Sequence, residues 1–473
     1  MVGITAIGAH IPMYRLNLDE IGKMWQTRTM KGEKAVAGYD EDAITMAVAA
    51  TFDCMNGSGK DINALYFATT SAPYKEKQSA ATIAGATDLG RECHTADFTN
   101  SLRAGSIALK AAVAEVKCGT VKQAIVTAAD CRKGAPQGRF EQLFGDGAAA
   151  VMVGSNNVIA TVDDSYSIFS DFTDLWRLDD EAFVQSADGR FVDLVGYIPI
   201  MKEAISGIMK KCSLTANDFA KVVFYAHDGR EHADLAKKMG FSPAQVQEPL
   251  FAQIGNTGTA AALMMLVAAL EGAAPNDKIL FVGYGDGADA FVLRATEAIS
   301  RVRNTEGMKD RLARKMPIDY GKYLHWHNLI RVEPPTLPER SEPSLITRWR
   351  DRKAVAALYG VKCKNCGTAQ FPPIGQKIRI CVHCQAKDQF EDYKFSDKKG
   401  KLFSFALDQL QPTKNPPGVN GVVDFDEGGR LICELTDCDP SKVSVGMPVE
   451  MTFRKMGKGK SINYFWKGKP MAL

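Results

Sequence analysis

The sequence predicts an α/β domain followed by a small all-β module built around a metal ion. Three observations carry this reading. Short β-branched runs alternate with longer helical patterns up to about Ile330, a proline-rich break follows, and two paired-cysteine knuckles lie beyond it. At 473 residues the chain is too long for one ordinary core, so a modular protein is expected.

Bulk composition narrows the class. A hydrophobic fraction of 45% and a charged fraction of 24% match ordinary globular usage and set aside disordered, fibrous and membrane classes. The longest purely apolar run, Ala260–Leu270, is too short to span a bilayer, and the N-terminus MVGITAIGAH has no basic segment ahead of an apolar one. A cytoplasmic location without a membrane partner is expected. A net charge of +3 does not point to nucleic acid. Eleven cysteines without a secretory signal fit a reducing compartment rather than a disulfide framework.

In the first part, Ala64–Ala68, Gln123–Ala129, Ala148–Val153, Val222–Ala226 and Lys278–Gly283 read as strands. Glu41–Met55 reads as a helix because Ile44, Val48, Phe52 and Met55 recur three and four apart, and Ser101–Lys117 and Thr257–Glu271 follow the same pattern. The last is apolar nearly all round, which places it between layers rather than on a surface.

Val332–Ser344 carries four prolines and no periodicity, the mark of an extended linker. It divides the chain into a domain over 1–331, a linker over 332–345 and a C-terminal part over 346–473, with the knuckles at about 360–388. After a short helix near Ser344–Tyr359, the strands Lys401–Leu407, Arg430–Leu435 and Pro448–Phe453 are separated by Gly, Pro and Asp turns. Met451–Pro470 holds Arg454, Lys455, Lys458, Lys460, Lys467 and Lys469 and no acid. Such a run suits an anionic ligand such as the phosphates of coenzyme A, or simply a solvated strand face.

Cys363 and Cys366, then Cys381 and Cys384, form two CxxC knuckles. Two thiolates three positions apart turn onto one ion, and a second pair completes a tetrahedron. With all four ligands supplied by protein no position is left for water or substrate, so structural Zn2+ is expected, with iron an alternative. His383, inside the second knuckle, reads as a neighbour rather than a ligand.

GEKAVAGYDEDAITMAV at Gly32–Val48, Asp174-Leu175-Trp176-Arg177, Ile254-Gly255-Asn256-Thr257 and Tyr284–Phe291 occur in one order and spacing. On these motifs the chain up to about Ile330 resembles 3-hydroxy-3-methylglutaryl-CoA synthases of the thiolase superfamily. The resemblance implies a five-layered αβαβα fold of two similar halves, an oligomer, and a coenzyme A thioester as substrate. The C-terminal part resembles the zinc-ribbon and OB-type domains that accompany such enzymes at the coenzyme A entrance.

The family carries a nucleophilic cysteine at the N-terminus of the first buried helix, where the helix dipole favours the thiolate. Here the matching text is Ser101-Leu102-Arg103-Ala104-Gly105, so Leu102 stands in its place. Ser101 is adjacent, but a serine nucleophile needs a base beside it. The family's acid/base glutamate is replaced by Thr70, which has no proton to exchange near neutral pH. His227 and Asn256 match the residues that polarise the thioester carbonyl in the family. Read from the residues alone, His227 is a histidine at a strand end and Asn256 a helix N-cap.

Three functions follow. In the first, this chain is a subunit whose cysteine-bearing thiolase-family partner completes an acyltransferase acting on 3-oxoacyl-CoA compounds, including the aromatic succinyl-CoA type. In the second it is a self-sufficient aldolase-type lyase with His227 as base. In the third it is an acyl-CoA channelling factor without chemistry.

Overall fold

The computed structural model describes residues 1–56, 61–304, 306–333, 344–372, 374–458 and 461–471. The chain divides into two compact units. The first comprises Met1–Ala37, Asp42–Ala84 and Leu89–Tyr323, the second Gly38–Glu41, Gly85–Asp88 and Leu324–Leu473.

The first unit is built on β1 (Gly3–His10), β2 (Ala64–Thr69), β3 (His94–Thr99), β4 (Ala124–Asp130), β5 (Gly147–Gly154), β6 (Ala160–Phe169), β7 (Lys221–Phe224), β8 (Lys278–Tyr284) and β9 (Gly287–Ala295). They form one sheet in the order β7-β8-β9-β6-β1-β5-β4-β2-β3. The sheet is a repeat. In the first half the third strand pairs with the second, the second with the fourth, the fourth with the fifth and the fifth with the first. The second half repeats this order with β6, β7, β8 and β9, its third strand reduced to a bridge between Val246 and Val222. The halves join where Gly3 and Ile4 pair with Thr161 and Ala160.

Helices complete the layers. α1 (Ala43–Met55) covers β1, β4 and β5, and α3 (Ile198–Cys212) covers β6 and β9. Between the half-sheets run α2 (Ala104–Cys118) and α5 (Thr259–Gly272), with α4 (Gly229–Lys238) following β7. The succession is αβαβα. α2 and α5 touch closely: a Cβ on Gly105 would lie 3.1 Å from Leu263 Cδ1 and 3.3 Å from the Thr259 carbonyl.

All five expected strands and three expected helices are present, with ends shifted by up to three residues. α1 begins at Ala43 because Asp42 and Thr45 form a capping box. β1, β3, β6 and β9 are additional. β6 hid behind Asp163, Asp164, Ser165 and Ser167, and β3 is a half-exposed edge without an apolar run.

In the second unit, β10 (Tyr359–Cys363), β11 (Ala369–Gln370) and β12 (Phe390–Lys394) form a small sheet carrying the knuckles. β13 (Lys399–Asp408), β14 (Gly418–Phe425), β15 (Arg430–Glu434), β16 (Pro448–Lys458) and β17 (Ile462–Pro470) form a second sheet in the order β15-β14-β13-β16-β17. A bridge from Leu435 to Gly468 nearly closes it into a barrel. The expected helix before the knuckles is two short ones, Leu345–Arg350 and Arg352–Ala357, hinged at Asp351. Most of the linker, 334–343, lies outside the described residues.

The basic run is not a free anion-binding face. Arg454 and Lys467 are 0% and 1% exposed. Arg454 lies 2.5 Å from Asp437 and 3.0 Å from Glu41, and Lys467 lies 2.9 Å from Asp40 and 3.0 Å from Glu434. Both lie on the strand face opposite Phe453 and Trp466 and are buried there, where only carboxylates make burial tolerable. Burial, despite Arg454, pushes the Asp437 carboxyl up. Arg454→Ala strands these carboxylates and is expected to cost about 3–5 kcal/mol, measured as a fall in the denaturant midpoint of the purified chain.

Candidate active site and metal centre

β7 ends at Phe224, and Asp228 starts α4 by accepting from the amides of Arg230 and Glu231. This strand-turn-helix connection puts His227 at the carboxyl end of the sheet with Glu231 one helical turn on. Glu231 Oε2 lies 2.8 Å from His227 Nδ1 and accepts from the His227 amide at 3.0 Å. Asp174 Oδ2 stands 3.3 Å from Nε2, off the hydrogen-bond line. Tyr197, Tyr225 and Tyr284 surround the imidazole edge-on at 5.6, 5.6 and 5.4 Å.

Burial lowers the His227 pKa, but Asp174 and Glu231 outweigh it and hold it well above the ordinary value. Burial likewise pushes both carboxylates up, and the imidazole facing them brings them below their ordinary range. The two carboxylates thus favour the protonated form of this imidazole. Such a histidine donates a proton or a hydrogen bond; it does not accept one.

Asn256 is 1% exposed. Its amide nitrogen donates to the Tyr225 hydroxyl at 3.1 Å and to the carbonyls of Ala226 and His227 at 3.1 and 3.0 Å. Its oxygen accepts from Arg132 at 2.9 Å and from the Gly258 amide at 3.0 Å. The side chain therefore clamps the turn that carries His227, and its donors are engaged with protein groups.

Thr70 is engaged as well. Asp130, at the end of β4, accepts from Thr69 Oγ1 at 2.9 Å, the Thr70 amide at 2.8 Å, Thr70 Oγ1 at 3.0 Å and Ser71 Oγ at 2.8 Å. It also accepts from the Thr259 amide, at the N-terminus of α5, at 2.8 Å. Arg177 donates to the Thr70 carbonyl at 3.1 Å. One tetrapeptide, Asp174 to Arg177, thus touches both His227 and the Thr70 loop.

Leu102 lies in the turn just before α2, and Ser101-Leu102-Arg103 is not yet helical. Gly285, adjoining Tyr284, has φ +144°, and a Cβ there would lie 2.9 Å from the amides of Leu102 and Arg103. Only glycine lets this strand end approach the helix N-terminus so closely. Ser101 Oγ is buried without a hydrogen-bond partner among the described residues, so no base is poised to activate it.

A cleft beside His227 and Asn256 is lined by Phe140, Leu143, Phe144, Leu175 and Val192. It is narrow, about 20 Å³, room for on the order of one water. A second cavity of about 760 Å³ adjoins it, and Arg139, Gly189 and Glu231 line both.

Asp130, Arg132, Glu231, Tyr197 and Tyr225 were not singled out from the sequence, and Tyr284 only as the first residue of a motif. The legible signal was Asp130-Cys131-Arg132, ionisable residues directly after an apolar strand, at the carboxyl edge where α/β sheets place ligands.

In the second unit the sulfurs of Cys363, Cys366, Cys381 and Cys384 all lie within 4.8 Å of one another. Cys363 stands 3.7 Å from Cys384 and Cys366 stands 3.5 Å from Cys381. A tetrahedral ion with metal–sulfur bonds of about 2.3 Å spaces its sulfurs by about 3.8 Å, so the cluster could hold zinc. The His383 amide donates to Cys381 Sγ at 3.4 Å, and its ring is not in the cluster.

Solved structures share this architecture. A 3-hydroxy-3-methylglutaryl-CoA synthase complexed with CoA superposes with a TM-score of 0.63 at 19% identity, covering 68% of this chain and 89% of that one. The 3-oxoacyl-[acyl-carrier-protein] synthase III of Aquifex aeolicus superposes with a TM-score of 0.55 at 20% identity, covering 62% and 100%. Residues 209–294 match the model for the C-terminal part of 3-oxoacyl-[acyl-carrier-protein] synthase III, and residues 393–454 match the ChsH2 C-terminal OB-fold domain. The fold is that of a thiolase-superfamily condensing enzyme carrying a C-terminal OB-fold barrel.

Sequence relatives specify the family. The hydroxymethylglutaryl-CoA synthase of Archaeoglobus fulgidus is 32% identical over 345 residues, 70% of this chain and all of the relative. That of Pyrococcus horikoshii is 35% identical over 332 residues, 68% of this chain and 95% of the relative. The chain belongs to the hydroxymethylglutaryl-CoA synthase family.

Among the described residues no helix is long and apolar enough to cross a membrane. Elemental analysis of the purified protein is expected to find one bound metal ion per chain, and Cys363→Ser with Cys366→Ser is expected to lose it. A chain that folds without metal would refute the site.

Proposed function

We propose that this chain is the non-nucleophilic subunit of a thiolase-type acyltransferase complex that makes or breaks a carbon–carbon bond beside the thioester carbonyl of a 3-oxoacyl-CoA. A partner subunit of the thiolase superfamily supplies the cysteine. The observation that carries the reading is Leu102, a hydrocarbon at the helix N-terminus where the family places its sulfur. No acyl group can be held there. Thr70 reinforces it, since its hydroxyl is spent on Asp130 where relatives carry an acid/base glutamate.

The remaining features suit binding rather than covalent chemistry. The larger cavity, which adjoins the cleft beside His227, presents Arg139, Arg190, Arg230 and Lys238, cations of the kind that hold the phosphates of coenzyme A, with Asp193, Asp228, Glu231 and Asp234 lining it as well. An imidazolium at His227 would polarise a thioester carbonyl without taking up a proton. The same charge state tells against the lyase reading, which needs a neutral base there. Zinc at the four cysteines would brace the ribbon, since it leaves no position for substrate. Eleven free cysteines suit the cytoplasm.

Mass spectrometry tests this directly. After incubation with an acyl-CoA the isolated wild-type chain is expected to show no covalent adduct, whereas Leu102→Cys is expected to gain one acyl group. An acyl adduct on the wild-type chain would sink the proposal. Purification from the native host is expected to bring down a stoichiometric cysteine-bearing thiolase.

A further inference from the structure

One hydroxyl in the cleft beside His227 is still without a role. Tyr225 follows β7 directly and is 1% exposed. Its amide donates to the Val282 carbonyl at 3.1 Å, and its own carbonyl accepts from the Tyr197 hydroxyl at 2.7 Å. The phenol ring runs parallel to Tyr284 at 6.3 Å and edge-on to the His227 imidazole at 5.6 Å. Backbone and ring are thus both fixed, and the side chain lines the cleft together with His227 and Asn256.

A phenol hydroxyl can accept hydrogen bonds and donates one. Tyr225 Oη accepts from Asn256 Nδ2 at 3.1 Å, and among the described residues its own proton meets no acceptor. Its neighbours are placed differently. The two amide protons of Asn256 are shared among Tyr225 Oη and the carbonyls of Ala226 and His227, and a carboxylate faces each nitrogen of the imidazole. The Tyr225 proton is left over. It also ends a chain of donors. Arg132 Nη2 donates to Asn256 Oδ1 at 2.9 Å, Asn256 donates to Tyr225, and each bond polarises the next toward the phenol proton. The Arg132 guanidinium is itself buried, its carbon 4.0 Å from the centre of the Phe144 ring, so bulk water screens its charge little.

We propose that the Tyr225 hydroxyl donates a hydrogen bond to the carbonyl oxygen of an acyl-CoA thioester in this cleft, with Asn256 and Arg132 as positioning residues behind it. The proposal rests on the reading above that the chain binds such a thioester. The cleft agrees with this ligand: about 20 Å³ beside the phenol suits one acceptor oxygen, and the apolar walls of Phe140, Leu143, Phe144, Leu175 and Val192 suit the carbon atoms attached to it. A neutral donor held in place before the ligand arrives stabilises negative charge developing on that oxygen. The contact itself makes and breaks no covalent bond.

Calorimetric binding of acetyl-CoA and of S-ethyl-CoA, which has a methylene where the thioester has its carbonyl, tests this on the intact chain. The wild type is expected to bind acetyl-CoA about fivefold more tightly, the worth of one hydrogen bond. Tyr225→Phe should lose that preference and keep its affinity for S-ethyl-CoA. The variant should also fold, because the Ala226 and His227 carbonyls still take both Asn256 protons. Equal affinities in the wild type, or a preference that survives in Tyr225→Phe, overturns the proposal. Should the variant not fold, the wild-type chain labelled with 13Cζ-tyrosine must show one resonance that moves with acetyl-CoA and not with S-ethyl-CoA, and a spectrum without one is equally decisive. A chain that binds neither compound removes the acyl-CoA reading and this contact with it. Equal binding of both removes the contact alone and leaves the partner-subunit reading standing, and an acyl adduct on the wild-type chain would leave the contact intact.

Discussion

α5 has almost no polar face, and the organisation of the first unit depends on where such a helix can go. Eleven of its residues are buried, and the position that hides all of its sides is between two sheets. Two half-sheets of matching order supply that space, and α2 fills the rest of it against Leu263. Once the helices lie there, the amide-rich N-terminus of α5 points at the carboxyl end of β4, where Asp130 receives the Thr259 amide. The site is thus a consequence of packing: strand ends and helix starts converge because apolar surfaces had to be covered.

Asp130 and Asn256 act here as scaffold. Asp130 spends its oxygens on Thr69, Thr70, Ser71 and the α5 amide, and Asn256 spends its amide on the carbonyls beside His227. Such fully satisfied buried networks rigidify a site. Here they hold His227 between Asp174 and Glu231.

The second unit solves a different problem. A small barrel and a ribbon have little apolar interior, so two cations are buried with Asp40, Glu41 and Asp437, with Glu434 half-buried beside them, and four sulfurs are gathered at one point. Strand alternation in β16 and β17 puts Arg454 and Lys467 on the face opposite Phe453 and Trp466, where both are buried. Their run of basic residues read as a surface for an anion, because the sequence shows charge without showing which face a side chain takes.

The sequence by itself determined the alternation of strands and helices, the buried character of α5 and the metal-binding spacing of the cysteines. All of these are local: periodicity, composition and spacing are properties of neighbouring residues. Only the tertiary structure decided that Asp174 and Glu231 flank one imidazole, that Thr70 serves Asp130, and that Arg454 and Lys467 are buried against carboxylates. Those pairings join residues from 4 to 427 positions apart. Even the shortest, His227 with Glu231, depends on a turn whose closure is fixed by Asn256, a residue carried on another part of the chain.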